Sequence, residues 1–321
     1  MPIKVPANLP ARQILEREGV PVIDEDAALR QDIRPLRIAV LNLMPEKIKT
    51  ETQLARVLGA TPLQVEITLL WLTTHAPKTT SAQHISDFYV PWTEVQDQKF
   101  DGLIITGAPI EQLPFEDVMY WEELKRIFEW SRTHVHGLFN LCWGAQAALN
   151  HFYGIQKYPL PGKAFGVFEH QLLDPTSSLV RGLNDRFPVP VSRHTENHTV
   201  DFKAHPHLEV LVTSEDAGVC LVYDPLLNHV HMFNHLEYDS DTIDAEYKRD
   251  VANGDAIGVP HNYYPNDDPS QKPINCWRSN GHILYGNWIN LIYQTTSYDR
   301  TKIGTIADHG ANALAGQLKR A

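Results

Sequence analysis

Apolar and polar positions follow two rhythms along this chain. Ile38-Ala-Val-Leu-Asn-Leu43 is a nearly continuous apolar run, which suits a strand buried on both faces of a parallel sheet. Helix and strand signals then alternate: a helix over 50–58, a strand over 65–72, a short helix over 93–95 and a strand over 102–106. Residues 115–132 carry helical spacing (Val118, Trp121, Leu124, Phe128), 135–141 read as a strand and 144–153 as a helix. This βαβ rhythm predicts an α/β fold, a doubly wound, mostly parallel sheet with helices on both faces.

The second half is richer in short β signals, at 167–172, 208–212, 219–223 and 230–233. A helix over 240–253 takes Ser240 or Asp241 as cap and Gly254 as stop. A closing helix spans 282–295, and an N-terminal one spans 11–17 between Pro10 and Gly19. Nothing reads as a linker or a repeat. The division expected is an N-terminal arm over 1–35, a single domain with a β-rich decoration over 36–298, and a weakly structured tail over 299–321.

Charge and composition narrow the partners. A net charge of −11 disfavours nucleic acid, which needs dense Lys and Arg. No apolar run is long enough for a membrane span, and the first residues lack a secretory signal. Three widely spaced cysteines, Cys142, Cys220 and Cys276, form no CxxC pair, which fits a reducing, cytoplasmic setting.

Cys142 has a distinctive position. The strand Gly137-Leu-Phe-Asn-Leu141 runs straight into Cys142-Trp143-Gly144, and a helix pattern follows. A strand, sharp turn and helix lift a nucleophile above the sheet edge. The helix N-terminus favours a thiolate and a developing oxyanion, with the Trp143 backbone N–H as donor. Gly144 allows close helix–strand packing. On spacing alone, a small buried hydrophobe is an equal reading of Cys142.

A thiolate nucleophile needs a base. His235 follows the apolar strand ending at Phe233, and Glu237 lies two residues on. A His-x-Glu pair at a strand end can set the imidazole tautomer and stabilise its cation. Together with Cys142 the pair favours catalysis over a structural histidine. His229, His231, His205 and His207 lack metal-ligand spacing, so no metal is expected. P-loop and GxGxxG motifs are absent.

The Cys142 elbow and His235-x-Glu237 resemble the class I glutamine amidotransferase (flavodoxin-like) fold. More specific strings surround them: Asn42-Leu-Met-Pro45 with Lys47, Thr50 and Glu51, Phe100-Asp-Gly-Leu-Ile-Ile-Thr-Gly-Ala-Pro109, His235-Leu-Glu-Tyr-Asp239, Asn262-Tyr-Tyr-Pro265 and Trp277-Arg-Ser-Asn-Gly281. As a set they resemble the homoserine O-acyltransferase family of methionine biosynthesis, from about residue 1 to 298.

The resemblance implies a ping-pong acyl transfer in which Cys142 becomes an acyl-thioester and His235, oriented by Glu237, activates the homoserine hydroxyl. It places Arg249 on the homoserine carboxylate and Lys163 and Ser192 at substrate-contacting positions, Lys163 in what reads as a flexible Pro161-Gly162-Lys163 loop. Lys47 should face the site too. In this family a glycine at position 111 accompanies succinyl-coenzyme A and a glutamate acetyl-coenzyme A. Glu111 therefore implies acetyl, since a carboxylate repels succinate's own. Pro109 has no N–H, so the second oxyanion donor is expected from Ile110. Leu236 stands where the family commonly has proline. The implied partners are L-homoserine and acetyl-coenzyme A as co-substrate, no resident cofactor, and a possible homodimer. Succinyl transfer, serine as acceptor, a glutaminase and a silent binding protein on the same fold remain rival readings.

Overall fold

The computed structural model describes residues 3–6, 8–18, 22–23, 34–75 and 79–304. Strand β1 (Ile3–Lys4) leads to helix α1 (Pro10–Arg17) and strand β2 (Val22–Ile23). Next come β3 (Leu36–Leu41), α2 (Lys47–Leu58), β4 (Val65–Trp71), α3 (Ala82–Phe88), β5 (Tyr89–Pro91) and β6 (Phe100–Ile105). Helix α4 (Trp121–His134), β7 (Val135–Leu141) and α5 (Trp143–Tyr153) complete the wound half. The chain continues through β8 (Tyr158–Leu172), β9 (Arg186–Glu196), α6 (Thr199–Lys203), β10 (Glu209–Ser214), β11 (Gly218–Asp224) and β12 (His229–Met232). It closes with α7 (Thr242–Asn253) and α8 (Arg278–Thr295).

All these strands join one 12-stranded sheet, in the order β2-β1-β4-β3-β6-β7-β12-β11-β10-β8-β9, with β5 paired to β4. From β2 to β12 every pairing is parallel, and from β12 to β9 every pairing is antiparallel. The expected doubly wound sheet is present, and the β-rich decoration extends that same sheet. Strands β3 and β6 are buried almost throughout, as their apolar runs predict, because helices cover both faces. The N-terminal arm adds two short strands beside β4 and lays Ala11 and Leu15 of α1, both 0% exposed, into the main core. Most of the expected tail, from 305 onward, lies outside the described residues.

Three local expectations are corrected. The helix expected over 115–132 splits into a 3-10 turn at Phe115–Asp117 and α4 from Trp121. Steps of three residues suit both geometries, and Phe115, Val118, Trp121 and Leu124 still reach one core cluster. The Pro161-Gly162-Lys163 segment is no free loop; it lies within the long strand β8, where pairing to β9 breaks register between Pro159 and Ala164. Strand β9 itself was not expected, since Pro188 and Pro190 interrupt it. It is an end strand of the sheet, where a missing N–H costs no ladder bond.

Candidate active site

The site is built where parallel strands end. Residue Met232 of β12 pairs with Leu141 of β7, so both strands deliver their next residues to one edge of the sheet. The Cys142 N–H donates to the Met232 carbonyl at 2.7 Å. The chain then turns sharply: Cys142 has φ 49 and ψ −117, a left-handed conformation that costs a non-glycine residue energy. Helix α5 starts at once, so the Trp143 N–H has no carbonyl acceptor in its own helix. A Cβ on Gly144 would lie 2.8 Å from the carbonyl oxygens of both Ile105 and Thr106. The elbow can sit against β6 only with glycine there. Gly144→Ala should cost roughly 1–3 kcal/mol, read as a lower urea midpoint, and should cut turnover by displacing the Trp143 amide.

His235 and Glu237 are each about 5% exposed, and the His235 Nδ1 to Glu237 Oε1 distance is 2.6 Å. Burial works against a charged imidazole. The Glu237 carboxylate and the neighbouring Cys142 sulfur overcome it and hold the His235 pKa well above its ordinary value. Tyr238 stacks on the His235 ring at 4.1 Å, and the His235 N–H donates to the Pro190 carbonyl of β9. Helix α8 braces the segment from behind. Tyr285 donates to Glu237 Oε2 at 3.4 Å, Trp277 Nε1 donates to the Tyr238 carbonyl, and a Cβ on Gly281 would sit 2.4 Å from the Leu236 carbonyl. Leu236 is buried in the core, so its side chain takes up space that a proline ring would leave.

One cavity of about 410 Å³ gathers Cys142, His235, Glu111, Lys163, Ser192 and Arg249. Six residues proposed from distant parts of the chain thus share a wall. Lys163 Nζ lies 2.8 Å from Asp250 and 3.6 Å from Glu246. Ser192 Oγ donates to Glu246 Oε2 at 2.5 Å, and Tyr238 donates to Glu246 Oε1 at 3.1 Å. Arg249 holds Asp250 through Nε and Nη2 while its side chain stays 60% exposed. Glu111 accepts from Thr195 Oγ1 at 3.3 Å.

Some sequence expectations shift. The Ile110 N–H, expected as an oxyanion donor, is turned onto the Ala108 carbonyl at 2.8 Å, a tight turn that Pro109 at its centre favours. Lys47 does not line the Cys142 cavity. Its ammonium caps the Asn42 and Met44 carbonyls, and burial pulls its pKa down to about 8 against the opposing pull of Glu51.

Glu246, Asp250, Tyr238 and His194 had not been singled out. Glu246, Arg249 and Asp250 share one face of α7 through i+3 and i+4 spacing, a pattern visible once Arg249 is chosen. His194 lies two residues from Ser192, on the same face of a strand. A larger cleft of about 1280 Å³ borders Glu237 and Tyr238, but neither Cys142 nor His235 lines it. The described residues contain no group of three or more His, Cys, Asp or Glu able to hold a metal, and none of their helices is long and apolar enough to cross a membrane.

Comparison with known proteins places this geometry. The profile of a family described as homoserine O-succinyltransferase matches residues 2–298. A protein of Ruegeria pomeroyi named homoserine O-acetyltransferase is 58% identical over 304 residues, covering 95% of this chain and 97% of its own. One of Dinoroseobacter shibae with the same name is 56% identical over 305 residues, covering 95% and 100%. Among solved structures, a glutamine amidotransferase from Thermotoga maritima superposes with a TM-score of 0.50 at 12% identity, covering 81% of this chain and 99% of its own. That likeness concerns the fold alone, and it agrees with the fold read from the motifs.

Proposed function

The chain belongs to the homoserine O-succinyltransferase family and is an acyltransferase, and we propose that it uses acetyl-coenzyme A, making O-acetyl-L-homoserine for methionine biosynthesis in the cytoplasm. The observation that carries this reading is the shared cavity, in which Glu111 faces the space beside Cys142 and the His235–Glu237 pair. The relatives named for acetyl transfer support the same donor.

In the first half-reaction the Cys142 thiolate attacks the thioester carbonyl carbon. The carbon–sulfur bond to coenzyme A breaks, and the departing thiolate takes a proton from the His235 imidazolium. The developing oxyanion lies toward the Trp143 amide at the start of α5. Acylation removes the negative charge from sulfur, and with it one cause of the raised His235 pKa. Having given its proton to the leaving thiolate, the imidazole is neutral and less strongly held in its charged form, so it is free to act as the base. It takes the hydroxyl proton of homoserine as that oxygen attacks the acyl carbon, the Cys142 thiolate leaves, and the ion pair is restored. No resident cofactor takes part.

Arg249 suits the homoserine carboxylate because its guanidinium is exposed to the cavity and needs only to exchange Asp250 for the substrate. Glu246, held by Ser192 and Tyr238, suits the ammonium group. Lys163 bridges the two carboxylates of α7 and offsets part of their charge, which weakens their repulsion of the substrate's own carboxylate.

Intact-mass measurement tests the reading. Acetyl-coenzyme A should leave one acetyl group on the protein, and homoserine should discharge it faster than serine or glutamine does. A succinyl adduct in its place would overturn the assignment of Glu111. Glu111→Gly should raise kcat/KM for succinyl-coenzyme A at least roughly tenfold, because a like charge is removed from beside the succinyl carboxylate. An unchanged ratio of the two donors would remove Glu111 from donor choice.

A further inference from the structure

We infer that the apolar cavity beside the Cys142 cavity is the channel for the pantetheine arm of the acyl-thioester donor. This inference rests on the thioester chemistry proposed above and adds where the donor lies. The second cavity, of about 360 Å³, shares Met44, Pro45, Ala108, Pro109 and Ile110 with the Cys142 cavity. The two spaces are therefore neighbours across one short ridge.

Chemistry separates the two directions in which a substrate can leave Cys142. Toward α7 the cavity carries Lys163, Ser192, Glu246 and Arg249, a charged wall suited to an amino acid. A long arm of methylenes, methyls and uncharged amides laid there would strip water from those ions without pairing them. Toward the ridge the surface changes character. Beyond it stand Leu43, Trp71, Leu72 and Tyr120, which suit an apolar chain, while Thr79 and backbone groups remain for its amides.

This wall is held rigidly. Glu123, 1% exposed, accepts from the Thr73 and Thr74 N–H groups at 2.7 and 2.8 Å and from Trp92 Nε1 at 2.5 Å. It fixes the turn that carries His75, whose ring meets Tyr120 at 5.2 Å between centroids. Tyr120 in turn stands edge-on to Trp143 at 6.2 Å, so the channel wall is continuous with the elbow. At its other side the cavity shares Lys47 and Thr79 with the cleft of about 1280 Å³ lined also by Lys49, Lys272 and Arg278. That cleft is mixed in charge, with Glu18, Glu46, Asp239 and Asp241 also on its walls, so the charged nucleotide end of the donor has a roomy place to emerge where Lys49, Lys272 and Arg278 can meet its phosphates.

The test compares two donors on the full chain: acetyl-coenzyme A, and the acetyl thioester of N-acetylcysteamine, which keeps only the first part of the arm. Leu43→Trp narrows the channel from its half-buried wall, and Thr79→Trp does so from its exposed rim. Each should lower kcat/KM for acetyl-coenzyme A roughly tenfold or more relative to the short thioester. Glu123→Gln should raise KM for acetyl-coenzyme A more than it changes kcat, because it loosens the wall rather than the reacting groups. Should both tryptophan variants keep the donor ratio of the parent protein, the arm lies elsewhere and the channel is refuted. If the parent protein is acetylated by neither donor, the thioester reading fails and the channel with it. A parent acetylated normally, with an unmoved ratio in the variants, overturns the channel alone.

Discussion

Cys142→Ala should abolish the acyl-enzyme and reduce turnover to background, a loss of roughly 10³-fold to 10⁶-fold. The sulfur that would carry the acyl group is gone, and the remaining oxyanion donor and substrate contacts give little rate without it. A variant that still becomes acetylated would move the nucleophile elsewhere. The fold should survive, because Cys142 is only half-buried and its backbone bond to Met232 does not involve the side chain. The same position carries a stability signature. With φ at 49, alanine inherits the strain of the native residue and glycine does not. Cys142→Gly should therefore be more stable than Cys142→Ala by about 1 kcal/mol, measured as a urea midpoint. Equal stabilities would mean that the elbow is not under backbone strain.

Glu237→Gln should lower kcat roughly 10³-fold or more, since an amide neither stabilises the imidazolium nor fixes the tautomer that a base needs. The ring position would be kept by Tyr238 and by the His235–Pro190 backbone bond, so KM for homoserine should change far less. The pH dependence follows from the raised pKa. A histidine whose folded pKa lies above its unfolded value of about 6.5 stabilises the fold fully below that value. The contribution fades as pH rises through the folded pKa. Removing the Glu237 charge lowers the folded pKa, so the native protein should exceed Glu237→Gln in stability most at mildly acidic to neutral pH. The gap should narrow on going alkaline. Thermal unfolding of both proteins across that range measures it, and a gap that widened with rising pH would contradict an ion-paired His235.

Much of the site could be read from residues close in sequence. Leu141, Cys142 and Gly144 define an elbow because strand, turn and helix each leave a local mark, and the close carbonyls of Ile105 and Thr106 explain the glycine. The His235–Glu237 pair was legible for the same reason, as two residues separated by one. Other parts were hidden by their setting. Pro188 and Pro190 argue against a strand, and only the place of β9 at the end of the sheet makes them harmless. Lys163 reads as a loop residue because Pro161 and Gly162 precede it, yet β8 carries it through an irregular stretch to Asp250, 87 positions away. Ile110 was expected to point its amide at the oxyanion, and a turn across Pro109 spends it on Ala108 instead.

By itself the sequence determined the wound order of strands and helices, the family, and the pair of motifs from which Cys142 and His235 are proposed as nucleophile and base, since periodicity and short motifs are properties of neighbouring residues. Only the tertiary structure decided that Cys142, Glu111, Ser192, Lys163 and Arg249 face one cavity, that Glu246 is among them, and that Asp250 holds Lys163 and Arg249 beside it. Those meetings depend on strand register and on how α7 docks, and both are set by packing summed over the whole core rather than by any local string.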